Sequence, residues 1–182
     1  PDESLSNYAI RMNKNIKHED IALVGVSFGG VLVQEMSRHL KVKRLIIISS
    51  VSSRLELPNR MKIACKTKAY SLAPTSLISQ MDRIAKYAFG ANVKKRIYLY
   101  QKYLSVNDKK YLDWAIKNMV CWNQDTTIPG IIHIHGENDM VFPHSYIKNC
   151  ITIKGGTHIM IINKFRWFNK QLPALILTGN LV

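Results

Sequence analysis

The chain has 182 residues, of which 47% are hydrophobic and 21% charged, and it carries a formal net charge of +14. That length suits one domain with a sizeable core, and the composition excludes a collagen-like, low-complexity or disordered chain. The charge raises nucleic acid or an anionic membrane as partners. However, the 26 Lys and Arg run through the whole chain, no aromatic ladder interleaves with them, and they read as a solvated cationic surface, so no nucleic-acid partner is expected.

No apolar run reaches the roughly 18 residues that a bilayer span needs, and no basic-then-apolar leader opens the sequence. The three cysteines, Cys65, Cys121 and Cys150, are widely spaced. They suggest neither a disulfide framework nor a CxxC metal site, and the expectation is reduced thiols in a cytoplasmic protein.

In chain order, Leu5, Ala9, Met12 and Ile16 recur at helical spacing behind Ser4, a candidate N-cap, and predict a helix over 4–16. "IALVGV" (21–26) is a continuous apolar run, as in a strand buried on both faces of a parallel sheet. Residues 28–40 return to helical spacing, and "RLIIISS" (44–50) is a second buried strand. Strand, helix and strand at this length make a βαβ unit.

Residues 51–129 change character. Pro58, Pro74 and Gly90 punctuate them, "SLISQMDRIAKYAF" and "KYLDWAIKNMVCWN" are amphipathic, and no strand is evident. This reads as a helical insertion between strands. "IIHIHG" (131–136) is a third buried strand and "NCITIKGG" supplies a fourth over about 149–153; residues 158–172 then close the chain as a helix. The predicted class is α/β, a mostly parallel sheet flanked by helices, with a core of 1–50 and 130–182 and an insertion of 51–129.

Gly25-Val26-Ser27-Phe28-Gly29 matches G-x-S-x-G and falls between a predicted strand and a predicted helix. A strand that turns this sharply holds its serine in a strained conformation and lifts the hydroxyl clear of the sheet. Gly25 and Gly29 are expected to relieve the crowding. The Phe28 backbone N–H, at the start of the helix, is then placed to donate to an oxyanion. Asp139 follows the third strand in "HGENDMVFP" and His158 follows the fourth in "GGTH". Both therefore fall at the carboxyl edge of a parallel sheet, where such sheets bind ligands. Glu137, and more distantly Glu56, compete for the aspartate's role. His135 is assigned to supporting the strand end. No His, Cys and Asp cluster has metal-ligand spacing, so no metal is expected.

The elbow, HGxxD and GGxH, in that order, resemble the α/β-hydrolase family, and the insertion lies where that family carries a helical cap. The match spans nearly the whole chain but falls in the family's second half. The resemblance implies that Ser27 is a nucleophile, that His158 is its general base and then acid, and that Asp139 holds the imidazole. It implies no cofactor and a small-molecule substrate, an ester, thioester or amide. Trp114, Met119, Trp122, Tyr98 and Tyr103 are then candidates to line an apolar pocket in the cap, or else to pack the cap on the sheet.

The family normally has several strands before the nucleophile strand, and a loop there gives the second oxyanion donor. Here Ser27 follows little more than one helix. The expectation is that further N-terminal strands exist upstream of Pro1. If the chain begins at Pro1, the exposed nucleophile strand should pair with a second copy or a partner. Two other readings remain open: a lyase or perhydrolase on the same triad, and a non-catalytic binding module that keeps the elbow.

Overall fold

The computed structural model describes residues 3–72 and 108–182. They fall into two compact units, 2–58 with 122–182 and, separately, 59–121.

The first unit is built on four parallel strands in spatial order β1-β2-β3-β4, namely β1 (Ala22–Val26), β2 (Arg44–Ile48), β3 (Ile132–Gly136) and β4 (Ile151–Ile153). Alternation along the strands divides the apolar residues between two faces. One face carries Leu23, Leu45 and Ile47 against α1 (Leu5–Asn13) and α2 (Phe28–Ser37), through Ala9, Val33 and Met36. The other carries Ile46, Ile48, Ile134 and Ile153 against Met160, Phe168 and Leu175. Ser4 caps α1 as its sequence predicts, accepting the Asn7 N–H at 3.1 Å. The unit is a three-layer α/β/α sandwich, the class the sequence predicts. β1 is an edge strand of this sheet.

The closing helix differs from its expectation. A short helix spans Met160–Asn163, and the main one runs Phe165–Leu177 straight through Pro173. Proline removes one backbone donor. Leu175, 1% exposed and packed among the strand isoleucines, shows why the helix continues: tertiary burial outweighs the local penalty.

Residues 51–58 and 122–129, read in the sequence as ends of the insertion, sit with the sheet. A buried polar cluster ties them to α2. The Gln34 amide donates to the carbonyls of Gly30 and Val51, and the Gln124 amide donates to Gln34 Oε1 and the Ser52 carbonyl. The Trp122 indole donates to Glu35 at 2.9 Å, so this tryptophan packs beside α2.

The second unit contains α3 (Asn59–Thr67) and α4 (Lys109–Val120). Asp108 caps α4 by accepting the Tyr111 N–H. Trp114 and Met119 are buried positions of α4. Tyr98, Tyr103 and the amphipathic stretch 76–89 lie outside the described residues. Cys65 and Cys121 are joined by a disulfide across 56 residues. This corrects the expectation of reduced thiols for two of the three cysteines. Spacing along the chain carries no sign of the pair, because it is the packing of α3 and α4 that brings the two Cα atoms to 5.2 Å. Cys150 is free.

Candidate active site

The elbow takes the form its sequence requires. Ser27 has φ 54° and ψ −123°, a left-handed conformation rare for a residue with a side chain. The serine joins β1 directly to α2. Its N–H donates to the Ile48 carbonyl at 2.9 Å, and its own carbonyl accepts from Gly30 N–H and Ser50 Oγ. Three hydrogen bonds thus hold one strained residue in place.

The glycines act differently from expectation. A Cβ on Gly25 would stand 2.2 Å from the Gly29 carbonyl oxygen, and one on Gly30 would stand 2.4 Å from Ser50 Oγ. A Cβ on Gly29 would meet nothing within 4 Å. The crowding at the elbow therefore falls on Gly25 and Gly30, because α2 starts directly against β1 and the end of β2.

Asp139 and His158 arrive from the ends of β3 and β4. The two loops lie back to back: the Asn138 N–H donates to the Gly156 carbonyl at 2.8 Å, and a Cβ on Gly136 would reach 2.5 Å from that same oxygen. The glycine of "HIHG" is what allows the approach. Asp139 Oδ1 accepts the Val141 and Phe142 N–H groups at 2.8 and 2.9 Å, which fixes the carboxylate in a turn.

The structure brings the three residues into one hydrogen-bonded line. His158 Nδ1 lies 2.9 Å from Asp139 Oδ2, and His158 Nε2 lies 2.9 Å from Ser27 Oγ. Ionised Asp139 can only accept, so Nδ1 carries the proton and Nε2 is free to accept the serine O–H. Burial on its own would raise the Asp139 pKa. The His158 hydrogen bond and charge, with the Phe142 N–H, outweigh it and leave the carboxyl below the usual aspartate value. The competing carboxylates lie elsewhere: Glu137 accepts the Gly155 N–H, and Glu56 accepts the N–H groups of Ser52 and Lys148. Phe28 is the first residue of α2.

Sequence reasoning passed over His133. Its Nε2 lies 3.2 Å from His135 Nδ1, and His135 Nε2 lies 2.8 Å from the Phe142 carbonyl and 3.6 Å from Asp139 Oδ2. The signal was the alternation in "HIH", which puts two histidines on one face of a buried strand. His144 pairs with Thr152 Oγ1, and its ring centroid lies 6.2 Å from that of His135. Among the described residues no group of His, Cys, Asp and Glu could hold a metal ion, and no helix is long and apolar enough to cross a membrane.

No protein-family profile matches the chain, and no curated protein matches it by sequence. Solved structures do match by fold. A meta-cleavage product hydrolase from Pseudomonas fluorescens IP01 aligns over 99% of this chain and 74% of its own, with TM-score 0.65 and 16% identity. A hydrolase from Pseudomonas aeruginosa PA01 aligns over 98% and 73%, with TM-score 0.67 and 13% identity. An esterase from Exiguobacterium antarcticum aligns over 94% and 72%, with TM-score 0.57 and 15% identity. The chain has the α/β-hydrolase fold. It spans about three quarters of these neighbours, more than the half its motifs suggest.

Proposed function

We propose that the protein is a serine hydrolase that acts on a small ester, thioester or amide through an acyl-enzyme. The observation that carries this reading is the unbroken line from Ser27 Oγ through His158 to Asp139, set on a strained elbow. His158 Nε2 takes the Ser27 proton as the oxygen attacks the substrate carbonyl. The Phe28 N–H donates to the developing oxyanion. His158 then returns the proton to the leaving group. Water attacks the acyl-enzyme in the second half, with His158 again as base. Asp139 holds the ring in its tautomer and stabilises its charged form. No cofactor is needed. The open edge of β1 would accept one further strand, from a second copy or another segment.

The test is intact-mass spectrometry after exposure to a fluorophosphonate, beside Ser27→Ala. A single adduct that vanishes in the variant is the expected result. A folded chain that takes no adduct overturns the reading and leaves a binding module that keeps the elbow.

A further inference from the structure

Phe142 touches every part of the acid–imidazole pair. Its N–H donates to Asp139 Oδ1 at 2.9 Å. Its ring lies beside the His158 ring, with centroids 5.5 Å apart. Its carbonyl accepts from His135 Nε2 at 2.8 Å. One residue, 1% exposed, therefore contacts both the carboxylate and the imidazole, and its own backbone is pinned from β3.

The pin is a side chain with no freedom left. His135 is 0% exposed. A carbonyl oxygen cannot donate, so the proton shared with Phe142 belongs to His135 Nε2. Burial favours the neutral His135 ring, which leaves its Nδ1 without a proton. His133 Nε2 lies 3.2 Å from that nitrogen and donates to it. His133 is neutral too, because burial, with His135 beside it, pushes its pKa down to about 3. The alternation in "HIH" sets both rings on one face of β3, edge to face with centroids 5.2 Å apart. Both nitrogens of His135 are thus engaged, one to hold the ring and the other to hold Phe142. His133 selects the Nε2–H tautomer of His135 by donating, as Asp139 selects the Nδ1–H tautomer of His158 by accepting.

The turn transmits this hold over a short distance. Asp139 Oδ1 takes the N–H groups of both Val141 and Phe142, so the direction of the carboxylate follows the place of the Phe142 peptide. A buried carbonyl that loses its donor must move to find another or stay unpaired.

We infer that His135, locked by His133, is a positioning residue for the Ser27–His158–Asp139 site: through the Phe142 peptide it sets where the Asp139 carboxylate and the His158 ring meet. The inference rests on the proposed function, since it assigns His135 to that same triad.

The experiment compares the whole ¹⁵N-labelled chain with His135 variants by two readouts, the His158 Nδ1–H resonance and the rate at which a fluorophosphonate labels Ser27. In the unsubstituted chain His135 is expected as the Nε2–H tautomer. His135→Leu fills space and removes the donor. It should slow labelling by roughly 10²-fold, the cost of an ångström-scale misplacement, and should move the His158 Nδ1–H resonance. His135→Gln puts an amide N–H near the place of Nε2, and should recover most of the rate and return the resonance. Should His135→Leu not fold, His135→Asn replaces it with the same expected loss, because its shorter amide stops at the place of Nδ1. The inference is overturned by an Nδ1–H tautomer at His135, or by a His158 resonance that loss of the donor leaves in place. A glutamine variant as slow as the leucine or asparagine one also overturns it, since packing alone would then be at work. If the unsubstituted chain takes no adduct, the proposed function fails, and the His158 resonance across the same variants decides the inference by itself.

Discussion

At Gly25 the space for one methyl group decides whether the elbow can form. The carbonyl that its Cβ would strike belongs to the backbone, so no side chain can swing away. Gly25→Ala is expected to cost roughly 3 kcal/mol or more, or to prevent folding, by overpacking a strained turn. Gly29→Ala meets open space and adds a better helix former, so its effect should stay within about 0.5 kcal/mol. Urea midpoints of the two variants check the contrast. Both glycines look alike in the G-x-S-x-G motif. Only the angle at which α2 leaves β1 separates them, and no residue encodes that angle alone. His133 gives a second residue-scale prediction. Its ordinary pKa is 6.5 and its folded value about 3, so between those values the unfolded chain binds the extra proton. Stability therefore falls as pH drops below about 6.5, by at most roughly tenfold in the folding equilibrium per pH unit. Asp139, depressed in the fold, acts in the same direction at lower pH: its contribution is present above the unfolded pKa and is lost as pH falls through the folded one. A pH series of urea midpoints should show the slope, and His133→Phe should flatten it between about pH 6 and 4.

At the scale of elements, the strands were the most legible part of the sequence. "LVGV" and "LIII" are apolar without alternation because both faces of a parallel strand are covered, "IHIHG" alternates isoleucine with two histidines that are also buried, and each forms a strand within a residue or two of its expected place. Ser27, Asp139 and His158 follow from this, since each lies just past a strand end. The helices were less legible. Pro173 was a local signal that Leu175 overrides, and the ends of the insertion were hidden because their attachment runs through Gln34 and Gln124, two polar residues with no periodicity to mark them. The Cys65–Cys121 link was hidden for the same kind of reason. It belongs to the contact between α3 and α4. Closing a loop across 56 residues stabilises the fold by up to about 4 kcal/mol in the chain-entropy account. Reduction, or Cys65→Ser, should lower the melting temperature, while Cys150→Ser should leave the response to reductant unchanged. Calorimetry with and without dithiothreitol distinguishes these outcomes.

For the molecule as a whole, a charge of +14 on 182 residues implies self-repulsion in the compact state. Raising ionic strength from about 0.01 M to about 0.15 M screens it and is expected to raise the melting temperature by roughly 2–4 °C. A melting temperature indifferent to salt would mean that the charges are already locally balanced. The molecule is also a discontinuous one, because the first unit takes its residues from both ends of the chain and the second from the middle. The disulfide spans almost the full length of that middle piece, and this gives the insertion an unusual covalent topology. A protease that cuts anywhere between residues 66 and 120 leaves two fragments still tied through Cys65 and Cys121. Nicked protein would run as one band until a reductant is added, and then as two.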